Sequence, residues 1–253
     1  MKNLQELILE AAKLLNDAQY LCILTGAGIS VESGIPDFRS PGGLWSRFDP
    51  SEYATITAFH AHPEKYWTMA KELRGILRAA EPNAAHIAVA ELEKCLNSVL
   101  VTQNIDFLHQ LAGSQHVIEV HGTYRTSTCI KCRAKHDWKE VDALLNTKLP
   151  PLCTHCGTGV LKSDAILFGE PMPVKAIRTA MRAAEECDTM LVIGSSLEVY
   201  PAGYLPAIAK KNDAKIIINN LEPTFADEWA NIVLYEKAGT VLPLIVQELK
   251  KMQ

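Results

Sequence analysis

Apolar positions along the chain fall into two periods, and their alternation carries the first inference. Leu4, Leu7, Ile8, Ala11, Leu14 and Leu15 recur at helical spacing and predict an amphipathic helix. A short unbroken apolar run, Tyr20–Leu24, follows and predicts a buried strand. The same rhythm continues with a helix after Asn83, and strands at Ser98–Thr102 and Val117–Val120. It resumes with a strand at Asp164–Phe168, a helix at Val174–Glu186, a strand at Thr189–Ile193 and a helix at Ala202–Lys211. Strands at Lys215–Asn219 and Ile232–Leu234 and a terminal helix with Val241, Leu242, Ile245 and Leu249 complete it. Strands alternating with helices predict an α/β fold, an open, doubly wound parallel sheet of Rossmann-like type covered on both faces.

Two stretches break the pattern. Pro41-Gly42-Gly43 opens an aromatic-rich excursion through Trp45, Phe48, Phe59, Tyr66, Trp67, Met69 and Leu73 that ends near Glu81-Pro82, and reads either as a lid over a ligand or as a structural helical pair. Residues 125–163 hold Cys129-x-x-Cys132 and Cys153-x-x-Cys156, 20 residues apart. Two such knuckles suit four thiolates around one Zn²⁺ with no open coordination position, so the metal is expected to be structural. A dithiol redox role would need one pair and leaves the second unexplained. Seven Lys or Arg against three Asp or Glu between Arg125 and Lys162 leave a nucleic-acid ribbon open at this point.

Composition narrows the class. A chain of 253 residues with 48% hydrophobic positions can bury a large core, and a net charge of −4 offers no general attraction to nucleic acid or anionic membranes. No run is apolar enough to span a bilayer, and the opening residues lack a basic segment followed by an apolar one, so the cytoplasm is the expected location. Seven cysteines, an odd number containing two knuckles, fit a reducing compartment; Cys22, Cys95 and Cys187 are expected to be buried core residues.

The chemistry gathers where strands end. Gly26 and Gly28 follow the first strand, where an absent Cβ lets backbone N–H groups approach a pyrophosphate, although a tight turn that binds nothing has the same local pattern. Val31 stands where a full dinucleotide fingerprint has its third glycine. Gln103-Asn104-Ile105-Asp106 follows the second strand and His121-Gly122 the third; a lone histidine there can be a general base or a hydrogen-bonded structural residue.

The ordered set Gly26-Ala27-Gly28-Ile29-Ser30, Gly34-Ile35-Pro36-Asp37-Phe38-Arg39, Thr102-Gln103-Asn104-Ile105-Asp106, His121-Gly122, the two cysteine pairs, Phe168-Gly169-Glu170, Gly194-Ser195-Ser196 and Asn220 resembles the sirtuin family of NAD-dependent protein lysine deacylases, in its compact prokaryotic form. The resemblance covers nearly the whole chain. It implies a Rossmann-like NAD-binding domain from residues 1–40, 82–124 and 164–253, with a smaller domain made of a helical module (41–81) and a zinc module (125–163). By position, Gly26, Ala27, Gly28 and Ser30 would line the phosphates, and Asp37, Phe38, Arg39 and Trp45 would close over the nicotinamide end. Gln103 and Asn104 would contact the nicotinamide ribose, and Ile105 and Asp106 the carboxamide. Gly194, Ser195 and Ser196 would lie near the phosphate and adenosine ribose, and Asn220, Leu221 and Ala238 around the adenine.

The implied reaction moves the acetyl group of acetyl-lysine to ADP-ribose with release of nicotinamide. His121 would be the general base for the ribose 2′-hydroxyl, assisted by Asn104 and Asp106. Phe168, Gly169, Glu170 and Val199 would hold the acetyl-lysine peptide by strand addition, and Cys129, Cys132, Cys153 and Cys156 would hold one structural zinc. No nucleic acid or membrane is expected as a partner. Mono-ADP-ribosyl transfer, or NAD sensing without catalysis, is the alternative. One departure from the family is specific: members that take succinyl or malonyl lysine carry a Tyr-x-x-Arg pair where this chain has Ala70 and Leu73. An apolar pocket there favours acetyl or longer uncharged acyl groups.

Overall fold

The computed structural model describes residues 2–38 and 42–253. Six strands form one parallel sheet in the order β3-β2-β1-β7-β8-β9: β1 (Leu21–Thr25), β2 (Ser98–Thr102), β3 (Val117–Glu119), β7 (Thr189–Ile193), β8 (Lys215–Asn219) and β9 (Ile232–Leu234). The chain leaves β1 toward β2 on one side and β7 lies on its other side, so the strand order reverses beside β1. In open α/β sheets this switch point, at the carboxyl ends of the strands, is where ligands bind.

Every residue of β1 and β7 is buried. That is why their sequences are unbroken apolar runs rather than alternating ones. One face carries α1 (Leu4–Asp17), α5 (Ala84–Cys95) and α10 (Ala238–Lys250), which share a core containing Ile8, Leu15, Val89, Leu242 and Ile245. The other carries α8 (Val174–Glu186) and α9 (Leu205–Lys211), packed through Ala180, Ala184 and Leu205 onto Cys22, Val192 and Ile218. Asn83 caps α5 by accepting from the Ala85 and His86 N–H groups. Its side-chain amide donates to the Ile29 carbonyl at 2.7 Å, so the cap also pins the segment after β1. Cys22 and Cys187 are buried as expected, while Cys95 is only partly so.

The excursion after β1 holds α2 (Pro50–Tyr53), α3 (Ile56–Ala61) and α4 (Pro63–Ala79). Short α6 (Leu108–Leu111) follows β2. A second, antiparallel sheet contains β4 (Gly122–Cys129), β5 (Lys135–Asp137) and β6 (Leu161–Ala165), with α7 (Trp138–Leu145) after β5. Here one expectation is corrected: the apolar stretch Asp164–Phe168 is not a strand of the main sheet. The strand ends at Ala165 and pairs antiparallel with β4 from Cys129 back to Gly122, where Asp164 accepts from the Thr126 and Thr128 hydroxyls of β4, partners the apolar main sheet would not offer. The two excursions share a core of Phe59, Trp67, Met69, Val141 and Leu161. Buried Arg74 of α4 locks them together, donating to Asp142 at 2.7 Å and to the Tyr124 and Trp138 carbonyls at 2.8 and 3.0 Å.

Candidate active site at the strand ends

Residues 27–33 form a 3₁₀ helix directly after β1. The two glycines before and within it act differently from the simplest expectation. Gly26 N–H donates to the Ile193 carbonyl and Gly28 N–H to the Gly194 carbonyl, at 3.0 and 2.8 Å, so neither is free for a phosphate. Their small size instead permits contact between two backbones. A Cβ on Gly28 would sit 2.7 Å from Gly194 Cα, and one on Gly194 would sit 2.3 Å from Ile29 N. The loops after β1 and β7 therefore cross with no side chain between them, leaving a backbone-lined trough at the switch point. Among the described residues Ala27 N–H makes no backbone hydrogen bond there.

Side chains from β2's end are locked into that crossing. Gln103 N–H donates to the Thr25 carbonyl at 2.9 Å and its amide to Ser195 Oγ at 2.8 Å. Asn104 Nδ2 donates to the Gly26 carbonyl and to Ser30 Oγ, at 3.0 and 3.1 Å. Ser30 Oγ donates to Asp106 Oδ2 at 2.7 Å, while Asp106 Oδ1 accepts from Leu108 N–H at 2.9 Å. Burial pushes the Asp106 carboxyl up from its ordinary value, against the pull of these donors. His121 stands beyond β3 with Nδ1 2.9 Å from the Gln103 carbonyl oxygen. Burial lowers its pKa, and the Gln103 hydrogen bond partly offsets that.

Behind this cluster lie two histidines that the sequence pattern does not mark, His86 and His109. His86 Nε2 is 3.4 Å from Ser30 Oγ, and His109 Nε2 is 2.9 Å from Thr25 Oγ1, which donates to Thr102 Oγ1 at 2.8 Å. Burial pushes the two imidazoles down to about 4 and about 3, so both are neutral near pH 7. The available signal is positional: His86 sits at the third position of a capped helix, and His109 three residues after Asp106, one turn from the polar end of β2.

At the far end of the trough, Gly194 N–H donates to the Asn219 carbonyl, and Asn220 Nδ2 to the Glu222 carbonyl at 2.7 Å. Leu221 is exposed, and Ala238 begins α10. Gly239 N–H is tied to Glu32 Oε2 at 2.9 Å, which brings the start of α10 to the 3₁₀ helix. Ser196 is exposed beside buried Ser195. At the near end the rings of Phe38 and Trp45 are 5.2 Å apart, and those of Trp45 and Phe168 6.2 Å. Asp37 holds this turn by accepting from Leu44 N–H with its backbone carbonyl. Arg39, expected at this end, lies outside the described residues.

Phe168 backbone groups pair with Ala54 and Ile56. Among the described residues, Gly169, with φ of 79°, makes no backbone hydrogen bond. The Glu170 carboxylate accepts from Lys162 Nζ and Leu167 N–H, which closes the turn and turns the side chain inward. Val199 is half-buried on the loop after β7, its carbonyl accepting from Gly203 N–H. Ile105 faces a cavity of about 20 Å³ lined also by Tyr66, Ala70, Leu73, Leu77 and Tyr124.

The four knuckle sulfurs lie within 4.8 Å of one another. Cys129 and Cys156 sulfurs are 3.8 Å apart and those of Cys132 and Cys153 3.6 Å. A tetrahedron with Zn–S near 2.3 Å has edges of about 3.8 Å, so the donors fit one zinc. Cys132 and Gly159 N–H groups donate to sulfur at 3.4 and 3.3 Å. His136, which the cysteine spacing does not mark, is buried with Nε2 3.2 Å from Cys153 Sγ, a supporting contact to one of the four sulfur donors.

The Sir2 family profile matches residues 26–201. The chain is 45% identical over 251 residues to NAD-dependent protein deacylase 2 of Archaeoglobus fulgidus, covering 99% of each. The chain belongs to the Sir2 family. A structure solved to explain the mechanism and regulation of Sir2 enzymes superposes with a TM-score of 0.92 at 44% identity, covering 98% of this chain and all of that one. Another Sir2 protein, Sir2Af2 bound to a myristoylated histone peptide, superposes with a TM-score of 0.83 at 39% identity over 98% of each chain. The missing third glycine is thus no obstacle in a Sir2 protein: here the trough is made by two crossing loops rather than by one fingerprint turn.

Proposed function

We propose that the chain is an NAD-dependent protein lysine deacylase that removes acetyl groups from acetyl-lysine and passes them to ADP-ribose. The observation that carries this reading is His121 on the Gln103 carbonyl, at the rim of the cluster of Ser30, Asn104 and Asp106. NAD⁺, when bound, supplies an anomeric carbon that becomes electrophilic as nicotinamide leaves. The residues of the chain do the rest. The backbone trough at Gly26, Ala27, Gly28, Gly194 and Ser195 holds the phosphates, with Ser196, Asn220, Leu221 and Ala238 toward the adenine. Asp37, Phe38, Trp45, Ile105 and Asp106 enclose the nicotinamide end, and Arg39 is assigned there with them.

Gln103 and Asn104 orient the ribose. His121 takes the proton of its 2′-hydroxyl through Nε2. Gly169 receives the peptide backbone, flanked by Phe168 and Val199, with Glu170 bracing the turn. The acyl group enters beside Ile105, Ala70 and Leu73, three uncharged side chains, with the one charged lining residue, Arg74, paired to Asp142; among relatives Sir2Af2 was solved with a myristoylated histone peptide. We divide the chain into an NAD-binding domain (1–40, 82–124, 164–253), a helical module (41–81) and a zinc module (125–163). A cytoplasmic location fits the reduced thiolates that the zinc site requires.

The test is incubation of the purified protein with NAD⁺ and an acetylated peptide, followed by mass spectrometry. Free lysine with 2′-O-acetyl-ADP-ribose is the expected result. A modified protein acceptor without that ester would replace this reading by mono-ADP-ribosyl transfer.

A further inference from the structure

Phe107 directly follows Asp106 and has φ of 67°, a left-handed conformation that costs an aromatic residue and costs glycine nothing. Locally the turn is bridged by the Asp106 carboxylate, which accepts from Leu108 N–H, and by the Phe107 carbonyl, which accepts from Leu111 N–H, while the Phe107 side chain itself caps no N–H. What holds the ring comes from elsewhere in the chain. The Arg125 guanidinium lies 4.2 Å from the centre of the Phe107 ring and 5.2 Å from that of Trp138. One cation is thus held between two rings, one at the end of the Gln103–Asp106 loop and one at the first position of α7. Trp138 is itself anchored, because its carbonyl accepts from buried Arg74 and the preceding Asp137 caps α7. A strained backbone persists only where the surroundings over-determine it.

We propose that Arg125 and Trp138 are positioning residues for the nicotinamide end of the site. Their stack holds Phe107 in its strained conformation, and Phe107 in turn sets the backbone of Asp106, whose carboxylate is shared between Ser30 and Leu108 N–H. Residues 125 and 138 are in this way mechanically joined to the loop that carries Asp106. This inference rests on the functional reading above. It also makes a demand that simple packing does not: Phe107→Gly, which removes the stacked ring, must cost far less than Arg125→Ala, because glycine adopts the conformation unaided.

The experiment compares Arg125→Ala, Trp138→Ala, Arg125→Lys, Phe107→Gly and the double variant Phe107→Gly/Arg125→Ala. For each, the NAD⁺ KM, the inhibition constant of nicotinamide, the acyl-peptide KM and the melting temperature are measured. A cation–π pair of this kind supports a loss of about tenfold in NAD⁺ KM and nicotinamide inhibition for Arg125→Ala and Trp138→Ala, with peptide KM within about twofold. Arg125→Lys recovers part of the loss, because an ammonium can also sit over a ring. Phe107→Gly alone stays within about threefold of the unmodified protein, and adding Arg125→Ala to it costs little more, since glycine adopts φ near 67° unaided.

The proposal is overturned if Arg125→Ala costs the same factor on the Phe107→Gly background. It is equally overturned if melting temperature falls while both nicotinamide-end constants hold. Should Arg125→Ala fail to fold, the Arg125→Lys pair on the two backgrounds decides in the same way. Absence of NAD⁺ binding by the unmodified protein is a different result: it overturns the functional reading, and this proposal with it.

Discussion

His121 Nδ1 lies 2.9 Å from the carbonyl oxygen of Gln103. A carbonyl only accepts, so the hydrogen is on Nδ1 and the lone pair is on Nε2, directed away from the protein's own bond. The residue is thus set as a base before any substrate arrives. Burial lowers its pKa from the ordinary 6.5, and the imidazole is already neutral at pH 7. Turnover is expected to be flat across neutral pH and to fall only on an acid limb centred below 6.5, as Nε2 becomes protonated. Replacing His121 by Ala removes a general base, worth about 10²–10⁴-fold in rate, while NAD⁺ affinity changes little. A pH–rate profile and calorimetric NAD⁺ titration check both statements; an acid limb above 6.5 would contradict the first.

Acyl preference follows from the cavity beside Ile105. Leu73 and Ala70 offer no charge, and Arg74, which also lines it, has its guanidinium occupied by Asp142 and the Tyr124 and Trp138 carbonyls. A succinyl carboxylate would be buried unpaired at a cost of about 3 kcal/mol or more, roughly a hundredfold in kcat/KM. The double variant Ala70→Tyr/Leu73→Arg is expected to gain desuccinylation and lose deacetylation. Competition between acetyl- and succinyl-peptides measures the ratio, and near-equal turnover by the unmodified protein would refute the pocket argument.

How far these features could be read from the chain depends on how local they are. Strands β2, β7, β8 and β9 lie where their apolar runs end, because a strand buried on both faces writes itself as an uninterrupted run. The four cysteines also declare themselves by spacing. Contacts between distant segments do not. The crossing of Gly28 with Gly194 and the occupation of Arg74 each join residues many positions apart. Nothing in the periodicity of Asp164–Phe168 says which of two sheets will claim it, since either offers an apolar neighbour.

His86 and His109 give the protein an acid-sensitive stability. Each is buried and uncharged in the fold, with a pKa of about 4 and about 3, against 6.5 when unfolded. Below 6.5 the unfolded chain binds protons that the folded one does not, so stability is complete above that value and declines as the pH falls toward the folded values. At pH 5 the loss is on the order of 2 kcal/mol per histidine. Melting temperature should therefore drop between pH 7 and pH 5. His109→Gln, which cannot be protonated, should shrink that drop; an unchanged slope would exclude His109 as a contributor.

The zinc site is expected to support the fold and stay out of the reaction. All four positions have sulfur ligands, and the Cys153 sulfur is further held by His136. Cys153→Ser should lower bound zinc below one per chain, loosen residues 125–163 and reduce activity together with melting temperature. Exchange of zinc for cobalt, which accepts the same tetrahedral sulfur set, should leave kcat within about twofold, because a closed site presents no water to the metal. A metal-dependent kcat or pH profile would show that the site reaches the chemistry.

Gly194 and Gly34 separate the cost of backbone conformation from the cost of contact. Both have positive φ, 58° and 82°. A Cβ at Gly34 meets nothing within 4 Å, whereas one at Gly194 meets Ile29 N at 2.3 Å and Gly28 carbonyl carbon at 2.6 Å. Gly34→Ala should cost about 1–2 kcal/mol, the price of a left-handed alanine. In Gly194→Ala the neighbours are backbone atoms that cannot rotate aside, so the loops after β1 and β7 must separate, breaking the Gly28 N–H bond to the Gly194 carbonyl. The melting temperature should fall several degrees further than in Gly34→Ala, at about 2–4 °C per kcal/mol for a chain of this size. NAD⁺ affinity should fall only in the Gly194 variant, because only there does the trough open. Equal melting temperatures and equal NAD⁺ affinities in the two variants would mean that the crossing does not shape the site.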